Sequence, residues 1–201
     1  MPSQENYNKQ EGNQVPTTYA CMPRPILSLG SLWVQAVQEY HIEYIRQWRN
    51  AQMNILRQST LITREEQKIY FQKHIWPDML SLHPKNILLA YMEDDHFIGY
   101  GGLVHIAWEH LRAEVSFLLA PTLLNSQDNY SRYFSIFLQL LKELAFQDIG
   151  IERLFAETYA IRTHHISVLE SVGFSREGLL KNHVKIDGKS VDSIIHGCIK
   201  V

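Results

Sequence analysis

The stretch Ala113-Glu114-Val115-Ser116-Phe117-Leu118-Leu119-Ala120-Pro121, continuing through Asn125-Ser126-Gln127-Asp128-Asn129-Tyr130-Ser131-Arg132, decides the fold. Its first part alternates as a strand does, breaks at Ala120-Pro121, and crosses a polar loop into an apolar helix predicted over 131–147. A strand feeding a helix through a polar turn aims unpaired backbone N–H groups, and about half a positive charge, at whatever lies beyond the strand end. That arrangement is an anion site. Arg132 in the first turn makes a phosphorylated cofactor the simplest guest.

Upstream of this stretch, residues 86–92 read as an aliphatic strand, Glu93-Asp94-Asp95 as a turn, and 97–107 as a second strand containing Gly99, Gly101 and Gly102. The turn Trp108-Glu109-His110 then completes an antiparallel meander. Glycines inside a strand mark a bulge or a close approach by another group. Further forward, 29–37 has strand composition, and 39–52 is a helix with Ile42, Ile45 and Trp48 on its buried stripe. The box Thr63-Arg64-Glu65-Glu66 starts another helix, expected to stop at Trp76-Pro77.

Downstream, Phe134, Phe137, Leu138, Leu141, Leu144 and Ala145 give the 131–147 helix a broad apolar face, widened by Ile136 and Leu140. Because a helix separates them, the strand at 152–159 should run parallel to its predecessor through a right-handed crossover. A helix over 162–172 ends at Gly173, and two strands joined by Asp187-Gly188 close the chain.

The totals narrow the function. At 201 residues the chain suits one domain. Residues 1–27 have almost no aliphatic side chains to bury and read as a flexible tail before a domain at 28–201. With 19 Lys plus Arg against 21 Asp plus Glu, no overall positive field draws the protein to nucleic acid or an anionic membrane. No apolar run reaches the ~20 residues of a membrane span, and the N-terminus is too polar for a signal peptide. Two cysteines then imply reduced thiols and a cytoplasmic protein. The ten histidines show no metal-ligand spacing, so no metal is expected.

The order strand, helix, helix, three antiparallel strands, helix, strand, helix, two strands resembles the GNAT superfamily of acetyl-CoA-dependent N-acetyltransferases. The resemblance runs from about residue 29 to 201. It is carried by Ser167-Val168-Leu169-Glu170-Ser171-Val172-Gly173-Phe174, by Glu177-Gly178-Leu179-Leu180 and by Asp187-Gly188-Lys189-Ser190-Val191-Asp192-Ser193. These endings are similar to those of the branch that acetylates ribosomal-protein N-termini, polyamines and nucleotide-linked amino sugars. The shorter Ile45-Arg46-Gln47-Trp48-Arg49-Asn50 is similar to a segment of bacterial amino-sugar acetyltransferases.

The resemblance implies an α/β fold with a mixed, mostly antiparallel sheet of six to seven strands, flanked by helices on both faces. It also implies a gap between the meander's last strand and the following parallel strand, occupied by the pantetheine arm of acetyl-CoA as co-substrate. Cofactor contacts would come from Phe117, Leu118 and Leu119 along the gap, and from Gln127, Tyr130, Ser131, Arg132 and Tyr133 at the diphosphate loop. One departure stands out: Tyr130 and Arg132 occupy positions where the family has glycine. Either Arg132 replaces backbone donors with a charged fork, or cofactor binding is weakened or lost. Arg162 and His165 stand where many relatives have Asn and Ser on the cofactor.

For chemistry, the amine nucleophile must lose a proton, and Glu114, pointing into the expected cleft, is the candidate base. The alternative is a structural bridge from Glu114 to Arg112 or another cation. Amides at Phe117, Leu118 and Leu119 would polarise the thioester carbonyl. Leu169 replaces the family's usual Tyr acid, leaving Tyr159 or His164 to protonate the leaving thiolate. On the acceptor side, Arg46, Arg49 and Asn50 would grip a diphosphate or sugar, His105 would reach the cleft, and Trp108 with Glu109 would orient the acceptor or else cover the sheet edge. The expected activity is acetyl transfer to a primary amine of a small or nucleotide-linked amino sugar, by a monomer or homodimer. An N-terminal peptide or polyamine acceptor, and a non-catalytic binding module, are the alternatives.

Overall fold

A computed structural model describes residues 15–201, built around one sheet with strand order β1-β2-β3-β4-β5-β6-β8-β7. The strands are β1 (Ile26–Leu29), β2 (Leu32–Ala36), β3 (Ile87–Glu93), β4 (His96–Ala107), β5 (Arg112–Leu119), β6 (Arg153–Tyr159), β7 (Ser175–Ile186) and β8 (Lys189–Ile199). Every neighbouring pair is antiparallel except β5 with β6, which is parallel as the crossover requires. Eight strands replace the expected six to seven. The single strand anticipated over 29–37 is instead a hairpin in which Leu29 pairs with Leu32. Gly30, at φ 64, takes the left-handed conformation that such a two-residue turn needs.

The helices are α1 (Ile42–Ala51), α2 (Arg64–Tyr70), α3 (Trp76–Met79), α4 (Gln127–Glu143) and α5 (Thr163–Ser171). Thr63 begins α2 as expected: its Oγ1 accepts from the Glu66 N–H at 3.2 Å, and its own N–H donates to Glu66 Oε2 at 2.8 Å. The stop expected at Trp76-Pro77 is overridden. A π-helical turn, Phe71–Ile75, carries the chain into α3, whose first turn has no use for the N–H that Pro77 lacks.

The sheet separates two cores. Ile87, Leu89 and Tyr91 of β3 face α4 and α5, packing with Phe134, Phe137, Leu138 and Leu169. Leu88, Ala90 and Met92 face the other way, against Ile45, Phe71 and Ile75. A strand buried on both sides has no polar face to show, which explains its unbroken aliphatic sequence. Glycine is required where β4 crosses this layer: a Cβ on Gly102, whose φ is 140, would lie 1.9 Å from the Ile87 carbonyl oxygen.

The expectation of a flexible tail over 1–27 is corrected for the part that can be described; residues 1–14 lie outside the described residues. Tyr19 is fully buried, and its hydroxyl accepts the Leu88 N–H at 2.8 Å. Met22 and Leu27 join the same core. A single aromatic side chain with a hydroxyl to pair offsets the ordering entropy of this polar segment. Among the described residues no helix is long and apolar enough to cross a membrane.

One buried group makes stability depend on pH. His41 accepts the Gln38 N–H on Nδ1 at 2.9 Å and packs 4.3 Å from the Phe97 ring, and burial pushes its imidazole down to about 4. An unfolded histidine titrates near ~6.5 and so binds more protons than the folded one between these values. Stability is therefore fully present above the higher value and falls as pH drops towards the lower, by on the order of 1–3 kcal/mol. Urea midpoints at pH 7 and pH 5 should show this loss, and His41→Gln should reduce it.

Candidate active site

β5 and β6 stay paired for only three residue pairs, Arg112 with Arg153, Ala113 with Leu154 and Glu114 with Phe155. Beyond Glu114 the strands diverge, so β5 from Val115 to Leu119 has no partner on its β6 side. The gap opens into a cavity of about 180 Å³ lined by Ser116 and Phe117 on one wall, Ala156 to Tyr159 on the other, and Phe134, His165 and Leu169 beneath. Of the three β5 residues expected along the cofactor, Phe117 lines this cavity. Leu118 and Leu119 continue the open edge, and the Leu119 carbonyl accepts from Gln52 Nε2 at 2.9 Å.

At the head of the gap, Glu114 is buried and holds two partners. One oxygen is ion-paired with Arg57, and Oε2 lies 2.7 Å from His105 Nδ1. The β4–β5 register shifts between Val104 and Ala107, and His105 sits in that bulge with φ 49. A non-glycine residue held in the left-handed region is uncommon, and bulges re-aim side chains; here the result is an imidazole turned onto Glu114 at the rim of the cavity. Arg57 also approaches Glu157 at 3.4 Å. Arg57 was not anticipated from sequence: it lies in the irregular 52–62 segment, where no periodicity singles it out.

Glu114 therefore does bridge to a cation, but to Arg57 rather than to Arg112, and at the same time orients a histidine. With Nδ1 on the carboxylate, the His105 Nε2 is left to accept a proton. Tyr159, nearly buried, lines the same cavity, and its phenol is raised above the usual range, mainly by burial. His164 does not enter it. Its Nε2 lies 3.1 Å from both Ser131 Oγ and the Gln127 carbonyl oxygen, bracing α5 against α4.

The diphosphate loop expected at 127–132 is absent. Without glycines those residues wind into α4, which begins a turn earlier than predicted, at Gln127. Ser126 is its N-cap, accepting the Asn129 N–H at 3.3 Å, and Asp128 sits in its first turn. Arg132 is turned outward to Glu93 at 3.0 Å, and the Tyr133 hydroxyl donates to the same carboxylate at 2.6 Å, so neither faces the cavity.

What occupies the mouth is a cluster of Tyr130, Arg162 and His165. The Tyr130 hydroxyl lies 2.6 Å from His165 Nδ1, and Arg162 Nη2 lies 3.3 Å from the Tyr130 oxygen. Burial first, then Arg162, holds the His165 imidazole well below the usual histidine range, so it stays neutral and accepts from the phenol. Arg162 is also lowered by burial, and among the described residues no carboxylate lies within ion-pair distance of it. Arg162 and His165 line both the cleft and a second cavity, about 260 Å³, that opens beyond Tyr130 between the starts of α4 and α5.

On the other face of the sheet, α1 and α2 enclose an apolar pocket of about 370 Å³. Of the acceptor-side residues expected from sequence, Arg46 is bound to Glu43 at 2.7 Å, and Asn50 ties itself to the Ile62 backbone through two bonds of 2.9 Å. Trp108 donates to the Pro84 carbonyl at 2.7 Å, at the turn between β4 and β5. Arg49 alone of these four lines the pocket.

Residues 34–195 match the family described as the acetyltransferase (GNAT) domain. A curated relative, the uncharacterized N-acetyltransferase p20 of Bacillus licheniformis, is 28% identical over 109 residues, covering 54% of this chain and 58% of that protein. The alignment thus spans little more than half the length of the relative. A spermidine N-acetyltransferase from Vibrio cholerae, solved with CoA and spermine, superposes with a TM-score of 0.71 at 16% identity, over 86% of this chain and 97% of its own. A ribosomal L7/L12 alpha-N-protein acetyltransferase solved with coenzyme A gives 0.70 at 16% identity, over 87% and 98%.

Proposed function

Since the chain belongs to the acetyltransferase (GNAT) domain family, we propose that it transfers the acetyl group of acetyl-CoA to a primary amine in the cleft between β5 and β6. The observation that carries this reading is the early end of β5–β6 pairing, which leaves a free strand edge beside the His105–Glu114 pair. The amine nitrogen forms its bond to the acetyl carbon as the carbon–sulfur bond breaks. His105 Nε2 takes the amine proton, with Glu114 holding the ring, and Tyr159 supplies a proton to the departing sulfur. Amides of the open β5 edge face the developing oxyanion.

Coenzyme A contributes an activated thioester, and the residues present suit it. Arg162 is a half-buried guanidinium without an acid partner among the described residues, at the place where a diphosphate would enter from the 260 Å³ cavity. Tyr130 must turn aside for that to happen, releasing its bonds to His165 and Arg162. Arg162 thereby replaces Arg132 as the diphosphate ligand.

A non-catalytic module is favoured by one fact, the Tyr130 side chain in the mouth. Calorimetric titration with acetyl-CoA separates the two. Saturable binding weakened roughly 10-fold or more by Arg162→Ala supports the transferase, on the scale of a lost charge-assisted bond. No heat with the wild type retires it.

Of the acceptors considered from sequence, a nucleotide-linked amino sugar loses Arg46, Asn50 and Trp108 as grips. A polyamine finds both cleft carboxylates, Glu114 and Glu157, already facing Arg57. An N-terminal peptide keeps an open approach past Leu56, Arg57 and the β7–β8 hairpin, where a broad groove lies.

A further inference from the structure

The pocket between α1 and α2 is not a separate cavity. Arg49, Val104 and Ser116 line both it and the cleft, so a molecule can lie in the pocket and reach the His105–Glu114 pair. Its walls are mainly Ile45, Ile62, Tyr70, Phe71 and Leu88, and the one acid among them, Glu66, is engaged by the Thr63 hydroxyl and N–H. Arg49 is the one cation among the lining residues. Its Nε donates to Gln58 Oε1 at 3.1 Å and Nη1 to the Tyr100 hydroxyl at 3.0 Å, both neutral partners. Among the described residues no carboxylate lies within ion-pair distance of it, whereas Arg57 next to it has two.

A half-buried guanidinium fixed in direction by neutral bonds and facing an apolar pocket lacks only an anion. Ser116 follows Glu114 by two residues on the same strand face, a separation of roughly 7 Å. An amine at His105 and an anion at Arg49 can therefore belong to one small molecule. A polyamine would set a second cation against Arg49, and a nucleotide would set polar groups against aliphatic walls.

We infer that the acceptor is a hydrophobic amino acid: its primary amine meets His105, its carboxylate meets Arg49, and its side chain fills the pocket between α1 and α2. This rests on the transferase reading for the reaction, though not for the binding.

The test compares acetylation of L-phenylalanine, L-phenylalaninamide, spermidine and a nucleotide-linked amino sugar. It is paired with binding of N-acetyl-L-phenylalanine and its amide, followed by NMR in the absence of CoA. The acid is expected to exceed the amide roughly 10- to 100-fold in kcat/KM and in affinity, the range of a hydrogen bond to a charged group. Arg49→Gln should bring that ratio close to one, and Tyr100→Phe should leave it above ten. Equal use of acid and amide by the wild type, a comparison needing no variant, overturns the inference, as does faster reaction of spermidine or the amino sugar. Acetyl-CoA binding without acid selectivity sinks the inference and spares the transferase. Arg49-dependent binding of the acid without any acetyl-CoA binding does the reverse.

Discussion

His105→Ala is expected to lower kcat by about 10²- to 10⁴-fold, the range for removing a positioned general base, while acetyl-CoA affinity stays within about 3-fold of the wild type. The imidazole stands at the head of the gap and does not line the 260 Å³ cavity proposed for the diphosphate, so its loss should be felt in the chemical step. Glu114→Gln tests the other half of the pair. An amide can still meet Nδ1 but gives no charge to stabilise the imidazolium, and it leaves Arg57 with Glu157 alone. Its expected effect is a smaller fall in kcat together with a displaced pH–rate profile. Steady-state kinetics from pH 6 to 9 on both variants decides the assignment. If His105→Ala keeps most of the activity while Glu114→Gln loses it, the carboxylate itself takes the proton and the histidine only covers it.

The second large effect concerns packing. Phe137 is fully buried, with its ring centre 5.1 Å from that of Tyr91 and 4.9 Å from that of Phe117. A Cβ added at Gly101 would come within 2.9 Å of the same ring, so α4 presses on β4 here without a spacer. Phe137→Ala should cost about 3–5 kcal/mol, the transfer of the ring plus the cavity it leaves. Urea denaturation reads this directly, and a loss below about 1 kcal/mol would mean that the core is packed differently. Because Phe117 leans on Phe137 and also lines the cleft, the variant should bind acetyl-CoA less tightly at temperatures where it is still folded.

Features decided within a few residues were legible in the sequence. Thr63 and Glu66 satisfy each other whatever surrounds them, and Asp187-Gly188, both with positive φ, makes the hairpin its composition promised. The aliphatic run of β3 and the apolar face of α4 announced a layered sheet and helix. Harder to read were features set by distant partners. Arg132 looked like a phosphate ligand because it opens the helix, but Glu93, 39 residues earlier, draws it outward. The start of α4 is hidden in the sequence because the polar run 125–130 resembles a loop, whereas Ser126 caps the helix there. At the site, Glu114 was visible from strand alternation. The turn of His105 onto it depends on a bulge, and Arg57 arrives from a segment without periodicity.

The two-sided burial of β3 bears on how such a protein could change its preferences over generations. Leu88 touches the pocket between α1 and α2 while its neighbours Ile87 and Leu89 support the helices beneath the cleft, so a backbone shift that accommodates a new side chain at 88 is transmitted to the opposite layer. Residues 53–62, by contrast, carry no sheet and are held by side-chain bonds with Arg46, Arg49 and Asn50 and by the ion pair of Arg57 with Glu114. Diversification of substrate choice should therefore accumulate in that lid-like segment and in the inward positions of α1 and α2. The strand would be inherited almost unchanged, a division of labour that also marks where a directed-evolution library is best placed.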